Sequence, residues 1–108
     1  MGGYYMNEES FGERLSQLRM QKNVSAREMS LAIGQNEGYI NRIENGKHYP
    51  SMTFFLYICD YLGVSPKEFF DFENPNPALT HKIMNNLKKL TQKQLESIDA
   101  IIQTMTES

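Results

Sequence analysis

The chain has 108 residues, a formal net charge of −2, 40% hydrophobic and 22% charged residues, and a single cysteine. These values fit one small domain with an appendage, exclude an intrachain disulfide, and leave no run of ~18 apolar residues able to cross a membrane. The start, MGGYYMNEES, has neither the basic nor the apolar region of a signal peptide, so a cytoplasmic location is expected. No glycine-rich phosphate loop, no Cys/His set at metal spacing and no Ser/His/Asp set stands out. An enzyme, a metal and a cofactor are therefore not expected, and His48 and His81 read as surface residues.

In chain order, helices account for nearly everything, and no alternating strand pattern competes. The first ten residues show no clear pattern and are expected to fray. Ser10 with Glu13 forms a capping-box pair that opens a first helix over about Phe11–Asn23. Ser25 with Glu28 opens a second over about Ala26–Ile33, which Gly34 stops. After that short turn, Asn36 is the expected N-cap of a third helix over about Glu37–Asn45, ended by Gly46. Two short helices joined this tightly make a helix-turn-helix unit. Ser51 opens a fourth helix over about Met52–Leu62, and Ser65, Pro66 and Glu68 open a last turn reaching Phe70. The prolines and asparagines of FENPNP break regular structure. Two amphipathic helices follow, about Ala78–Lys89 and, from the Thr91–Gln94 box, about Gln92–Met105. The expected plan is a flexible 1–10, a helix-turn-helix domain over 11–72, a linker over 73–77 and a helical extension over 78–108.

The third helix has two distinct sides. With Glu37 at zero and ~100° per residue, Asn41, Asn45, Gly38 and Arg42 fall at about 40°, 80°, 100° and 140°. Tyr39, Ile43, Ile40 and Glu44 fall at about 200°, 240°, 300° and 340°. The second arc packs inward. The first is polar apart from a glycine, which lets another surface come close. Arg42 can bond a guanine edge with two donors, Asn36 or Asn41 can pair with adenine, and Glu37 can accept from cytosine N4. Periodicity alone does not separate such a reading face from an ordinary solvated one. The charge distribution adds a hint: from Arg14 to Tyr49 six bases (Arg14, Arg19, Lys22, Arg27, Arg42, Lys47) face three acids (Glu28, Glu37, Glu44), which suits one phosphate-facing side.

The segments FGERLSQLR, VSAREMSLAIG, YINRIENGKHYPS and LYICDYLGVSPKEFF, lying between Phe11 and Phe70, resemble the Cro/cI-type helix-turn-helix family, also called the XRE family. The resemblance implies an all-α, five-helix, lambda-repressor-like bundle whose third helix enters the DNA major groove, here followed by a two-helix extension. It implies that Asn36, Glu37, Gly38 and Arg42 face bases and that Asn45 and Lys47 contact the backbone. Ser25, Ala26 and Arg27 would meet a phosphate at the start of the second helix. Arg19 and Glu44 match an ion pair tying the first helix to the third, and the inward position of Glu44 calls for such a partner. Two positions depart from the family pattern. Ala26 stands where glutamine often helps clamp the phosphate, although the helix N-terminus still presents N–H groups. Glu37 brings an acid towards a polyanion.

The fourth helix is apolar almost all round. Met52, Phe55, Leu56, Ile58, Cys59 and Leu62 form one side, and Phe54, Tyr57 and Tyr61 the other. A helix of that kind is normally covered all round; the extension or a second subunit is the expected cover. Phe69, Phe70 and Phe72 read as core, and Cys59 as a small buried hydrophobe. The extension repeats Leu79, Ile83, Leu87 and Leu90, then Leu95, Ile98, Ile101, Ile102 and Met105, at helical spacing. It is too short for a ligand-binding domain, so no small-molecule ligand is expected. The leading expectation is a homodimeric, repressor-like transcriptional regulator binding double-stranded DNA. The alternative is a protein-interaction module on the same fold, antitoxin-like or a regulator's partner.

Overall fold

A computed structural model describes residues 6–107. Among them the chain forms seven α-helices and no strand: α1 (Glu8–Lys22), α2 (Ala26–Ala32), α3 (Tyr39–Glu44), α4 (Met52–Leu62), α5 (Pro66–Phe69), α6 (Pro77–Leu87) and α7 (Gln92–Thr106). The first five make the expected all-α bundle.

The starts of α1 and α3 differ from the sequence expectation by two residues or more. Helix α1 begins at Glu8 and takes in residues 8–10, which were expected to fray; residues 1–5 of that segment lie outside the described ones. Its N-cap is Asn7, whose Oδ1 accepts from the Ser10 amide at 2.8 Å while Ser10 Oγ accepts from the Asn7 amide at 2.9 Å. Ser10 is thus the inner member of the capping box, not the cap, and Glu13 is outside it. Asparagine caps as well as serine does, and the earlier start places Glu8 and Glu9 at the positive end of the helix. Helix α3 begins later than expected, at Tyr39 with Gly38 as N-cap. Asn36 does not cap it. The Asn36 Oδ1 accepts from the Gly38 amide two residues on, at 3.2 Å, which holds 36–38 as a turn.

The starts of α2, α4, α5 and α7 follow their signals. The side chains of Ser25, Ser51, Ser65 and Thr91 each accept from the amide three residues on, and the Ser65–Glu68 and Thr91–Gln94 boxes close in both directions. Gly34, Gly46 and Gly63 all take positive φ (82°, 75° and 73°) just past helix ends, a conformation that glycine adopts without Cβ strain.

The core joins Phe11, Leu15 and Leu18 of α1, Met29 of α2, Ile40 and Ile43 of α3, Phe55, Ile58, Cys59 and Leu62 of α4, then Val64 and Phe69. Phe11 lies 4.9 Å from Phe69 and 5.8 Å from Phe55, centroid to centroid. Arg14 is buried beside them. Its guanidinium donates to the Phe69 carbonyl at 2.6 Å, the Glu68 carbonyl at 2.7 Å and the Asp71 carbonyl at 3.0 Å, closing the C-terminal end of α5. Burial pulls its pKa down, with Asp71 opposing.

The apolar side of α4 is only partly core. Met52 is 70% exposed and Leu56 48%. The opposite aromatic side finds part of its cover inside the bundle: Phe54 sits 5.9 Å from the Tyr39 ring, and the Lys22 ammonium lies 5.2 Å over Tyr61. Of the three phenylalanines expected in the core, Phe69 is buried, Phe72 half-buried and Phe70 exposed. The chain divides between Pro77 and Ala78 into two units. Pro77, expected in the linker, is the first residue of α6, where its fixed φ suits the first turn. In the second unit no residue from Ala78 to Glu107 is buried.

Candidate nucleic-acid interface

Helix α3 is six residues long, too short to stand alone. It is held from behind by three contacts. The first is Ser30 of α2, fully buried, whose hydroxyl donates to the Ala26 carbonyl at 2.7 Å and accepts from the Ile40 amide at 3.0 Å. Gly38 provides no side-chain cap, so Ser30 satisfies one of the orphan donors of the first turn of α3. The second is Gly12 of α1. A Cβ there would fall 2.5 Å from the Ile43 carbonyl oxygen and 2.7 Å from that of Glu44; only glycine lets the two backbones come so close. The third is the ion pair. Arg19 Nε donates to Glu44 Oε2 at 2.7 Å and Nη2 donates to Oε1 at 3.0 Å, while Nη1 donates to the Val24 carbonyl at 2.7 Å. The side chains are 16% and 9% exposed. The hydrogen bond to Glu44 raises the Arg19 pKa against the opposing effect of burial.

The front of the unit is polar and open. Ser25 caps α2, and Arg27 is its second residue. Asn36, Glu37 and Gly38 form the turn, Asn41 and Arg42 lie on α3, Asn45 is its C-cap, and Lys47 follows in the loop. All are exposed except the half-buried Gly38. Glu37 is therefore a turn residue and not the first of a helix, and its helical angle does not apply. Two contacts organise this face. Arg27 Nε donates to Glu37 Oε2 at 2.8 Å, and Arg42 Nη2 donates to Asn36 Oδ1 at 3.2 Å. A Cβ on Gly38 would lie 2.9 Å from Arg42 Nη1, so the glycine leaves room for that guanidinium. Behind them, burial raises the pKa of Tyr39 while Arg42 opposes it.

The sequence pattern of the helix-turn-helix domain family matches residues 10–69. The chain belongs to this family, in its Cro/cI-like form. No curated protein sequence matches closely enough to add to that. Among solved structures, the crystal structure of the clp gene regulator ClgR from C. glutamicum is similar, with a TM-score of 0.57 and 26% identity, covering 65% of this chain and 90% of that one. Helix-turn-helix domains of this kind form a DNA-binding class.

Sequence reasoning passed over Ser30 and Gly12, the residues that hold α3 from behind alongside the ion pair. Ser30 carried no signal, since a serine inside an amphipathic helix reads as solvated. Gly12 did carry one: glycine inside a helix is unfavourable by ~1 kcal/mol relative to alanine, which asks for a reason such as close packing.

Proposed function

We propose that this chain is a sequence-specific, double-stranded DNA-binding transcriptional regulator, not an enzyme, that sets α3 in the major groove. The observation that carries the reading is the pairing of a rigid back with an open polar front. Ser30, Gly12 and the Arg19–Glu44 pair fix α3 against two other helices, while Asn36 and Glu37 of the turn and Asn41 and Arg42 of the helix stand exposed. Arg42 reads a guanine edge, and Asn36 or Asn41 an adenine edge. Ser25 and Arg27 at the start of α2, with Asn45 and Lys47 beyond α3, meet phosphates, which fix the register without reading sequence.

One reading head spans few base pairs, so such domains work in two-fold pairs on half-sites about one helical turn, ~34 Å, apart. The second unit suits that role for a homodimer. Leu79, Ile83, Leu95, Ile101, Ile102 and Met105 are all exposed on its two helices. The first helix and the turn after it carry Lys82, Lys88 and Lys89 and no acid, and α7 carries Glu96 and Asp99 against Lys93. Opposite charges of this kind suit α6 of one copy against α7 of the other, an isologous arrangement.

Selection of binding sites from a random duplex pool tests the reading. The wild-type chain should enrich a two-fold sequence, and Arg42→Ala should lose discrimination at one position of each half-site by about 1–3 kcal/mol. Failure to enrich any sequence would favour the protein-interaction reading, which the acid at Glu37 motivates. A strict monomer in light scattering would remove the homodimer.

A further inference from the structure

We infer that Glu37 is a specificity filter acting through Arg27: it withholds that arginine from phosphates of arbitrary sequence and releases it where a base satisfies the carboxylate. The inference rests on the DNA-reading function proposed above. Its starting point is the 2.8 Å contact between Arg27 Nε and Glu37 Oε2, which links the first turn of α2 to the turn before α3. Both side chains stand well into solvent, 70% and 67% exposed. An exposed pair of this kind is worth ~0–1 kcal/mol, so it adds little to the fold and opens easily. Its position, among the side chains that would touch DNA, gives it another consequence.

Arg27 has two acceptors to choose from, Glu37 and a phosphate oxygen. On DNA of arbitrary sequence, moving to the phosphate leaves Glu37 unpaired beside a polyanion. Keeping the pair avoids that repulsion but cancels the cation, so one counterion-releasing contact is lost. On a sequence that presents a cytosine N4 amino group to Glu37, both groups are satisfied at once: the carboxylate accepts from the base and Arg27 reaches the phosphate. The pair thus makes one phosphate contact conditional on a base. Arg42 shows the contrast. Its partner is the neutral Asn36 amide at 3.2 Å, so its charge stays uncompensated and it binds under no such condition. Ala26, the residue before Arg27, has no polar side chain, so Arg27 is the cation of that first turn able to reach a phosphate, and Glu37 governs it.

The test compares the full chain, Glu37→Gln, Arg27→Ala and the double variant by fluorescence anisotropy. The probes are a random-sequence duplex and a duplex enriched by in vitro selection, and the salt series runs from ~50 to ~200 mM. The logarithm of affinity falls with the logarithm of salt by ~0.9 per phosphate contact. Glu37→Gln should steepen that slope on the random duplex by ~0.9 and raise affinity there several-fold. The enriched duplex should gain less, so the ratio of specific to non-specific affinity falls. In the Arg27→Ala background, Glu37→Gln should leave the slope unchanged. An unchanged slope in the single variant overturns the inference, and so does an equal change with and without Arg27, which would make Glu37 an independent repulsive charge. A wild-type chain that binds neither duplex at any salt overturns the proposed function itself, and the inference with it.

Discussion

Replacing Gly12 by alanine sets two effects of opposite sign against each other. Removing a glycine from a helix interior favours the folded state by ~1 kcal/mol. The added methyl, however, falls 2.5 Å from the Ile43 carbonyl oxygen, where ordinary contact begins at 3.4 Å, so α1 and the end of α3 must separate by about 0.9 Å. The atoms met are backbone carbonyls, and no side chain can rotate out of the way. Overpacking a well-filled interior costs ~1–3 kcal/mol, and a contact with backbone belongs at the upper end. The net expectation is a loss of ~2 kcal/mol, since ~1 is regained as propensity. For a bundle of this size that lowers Tm by roughly 8–16 °C in a thermal melt followed by circular dichroism. The displacement also strains the Arg19–Glu44 contact, which bridges the same two helices. DNA binding should therefore weaken on all sequences alike. A Gly12→Ala chain as stable as wild type, or more so, would show that helix propensity decides and that α1 and α3 do not meet as closely as described.

Other substitutions probe the same framework. Glu44→Ala removes two hydrogen bonds from Arg19 and leaves it only the Val24 carbonyl; urea melts should show a loss of about 3 kcal/mol, the low end for a buried pair because Arg19 keeps some water, and an unchanged midpoint would refute this. Ser30→Ala leaves the Ile40 amide buried without its acceptor, for about 1–3 kcal/mol; hydrogen exchange at Ile40 should quicken relative to the core, and equal protection would count against the bridge. Burial pushes the Cys59 thiol from an ordinary 9.0 up to about 11, so the unfolded chain ionises first. Its contribution to stability is full below pH 9 and is lost as pH rises towards 11, by about 2–3 kcal/mol. Cys59→Ala should remove that part of the alkaline slope, and a variant with the wild-type slope between those pH values would refute it.

The bundle was legible in the sequence because its signals are local. Ser25, Ser51 and Ser65 begin helices where a side chain meets an amide three residues on, and Gly63 ends one by taking positive φ. The errors arose where two local signals competed. Asn7 and Ser10 are both good caps, and the chain uses the one that adds a turn. Asn36 is a good cap but instead closes a turn on Gly38, which shortens α3 and takes Glu37 out of it. Contacts between distant residues were harder to read. Nothing local to Ser30 says that it reaches Ile40, and nothing local to Arg14 says that it closes α5 from 54 residues away. Met52 and Leu56 show the reverse limit. Periodicity assigned them an apolar side but not the width of the core beneath it.

The two sides of the helix-turn-helix unit differ in the energy that holds them, and that difference suits a reading head. Behind α3 the contacts are buried or nearly so, and breaking any one is worth a few kcal/mol. In front, Arg27–Glu37 and Arg42–Asn36 are exposed contacts worth about 1 kcal/mol or less each. In the proposed function, a duplex pressed against this surface exchanges the front contacts long before it moves the helix that carries them. Side chains re-pair while the backbone frame stays fixed. Discrimination between sequences then depends on how well each sequence replaces the front pairs. A right base is worth ~1–3 kcal/mol over a wrong one, which exceeds the strength of the exposed pairs and stays below that of the contacts behind α3 taken together. Had the energies been reversed, with loosely held helices and buried front pairs, the head would yield to many sequences and choose among few.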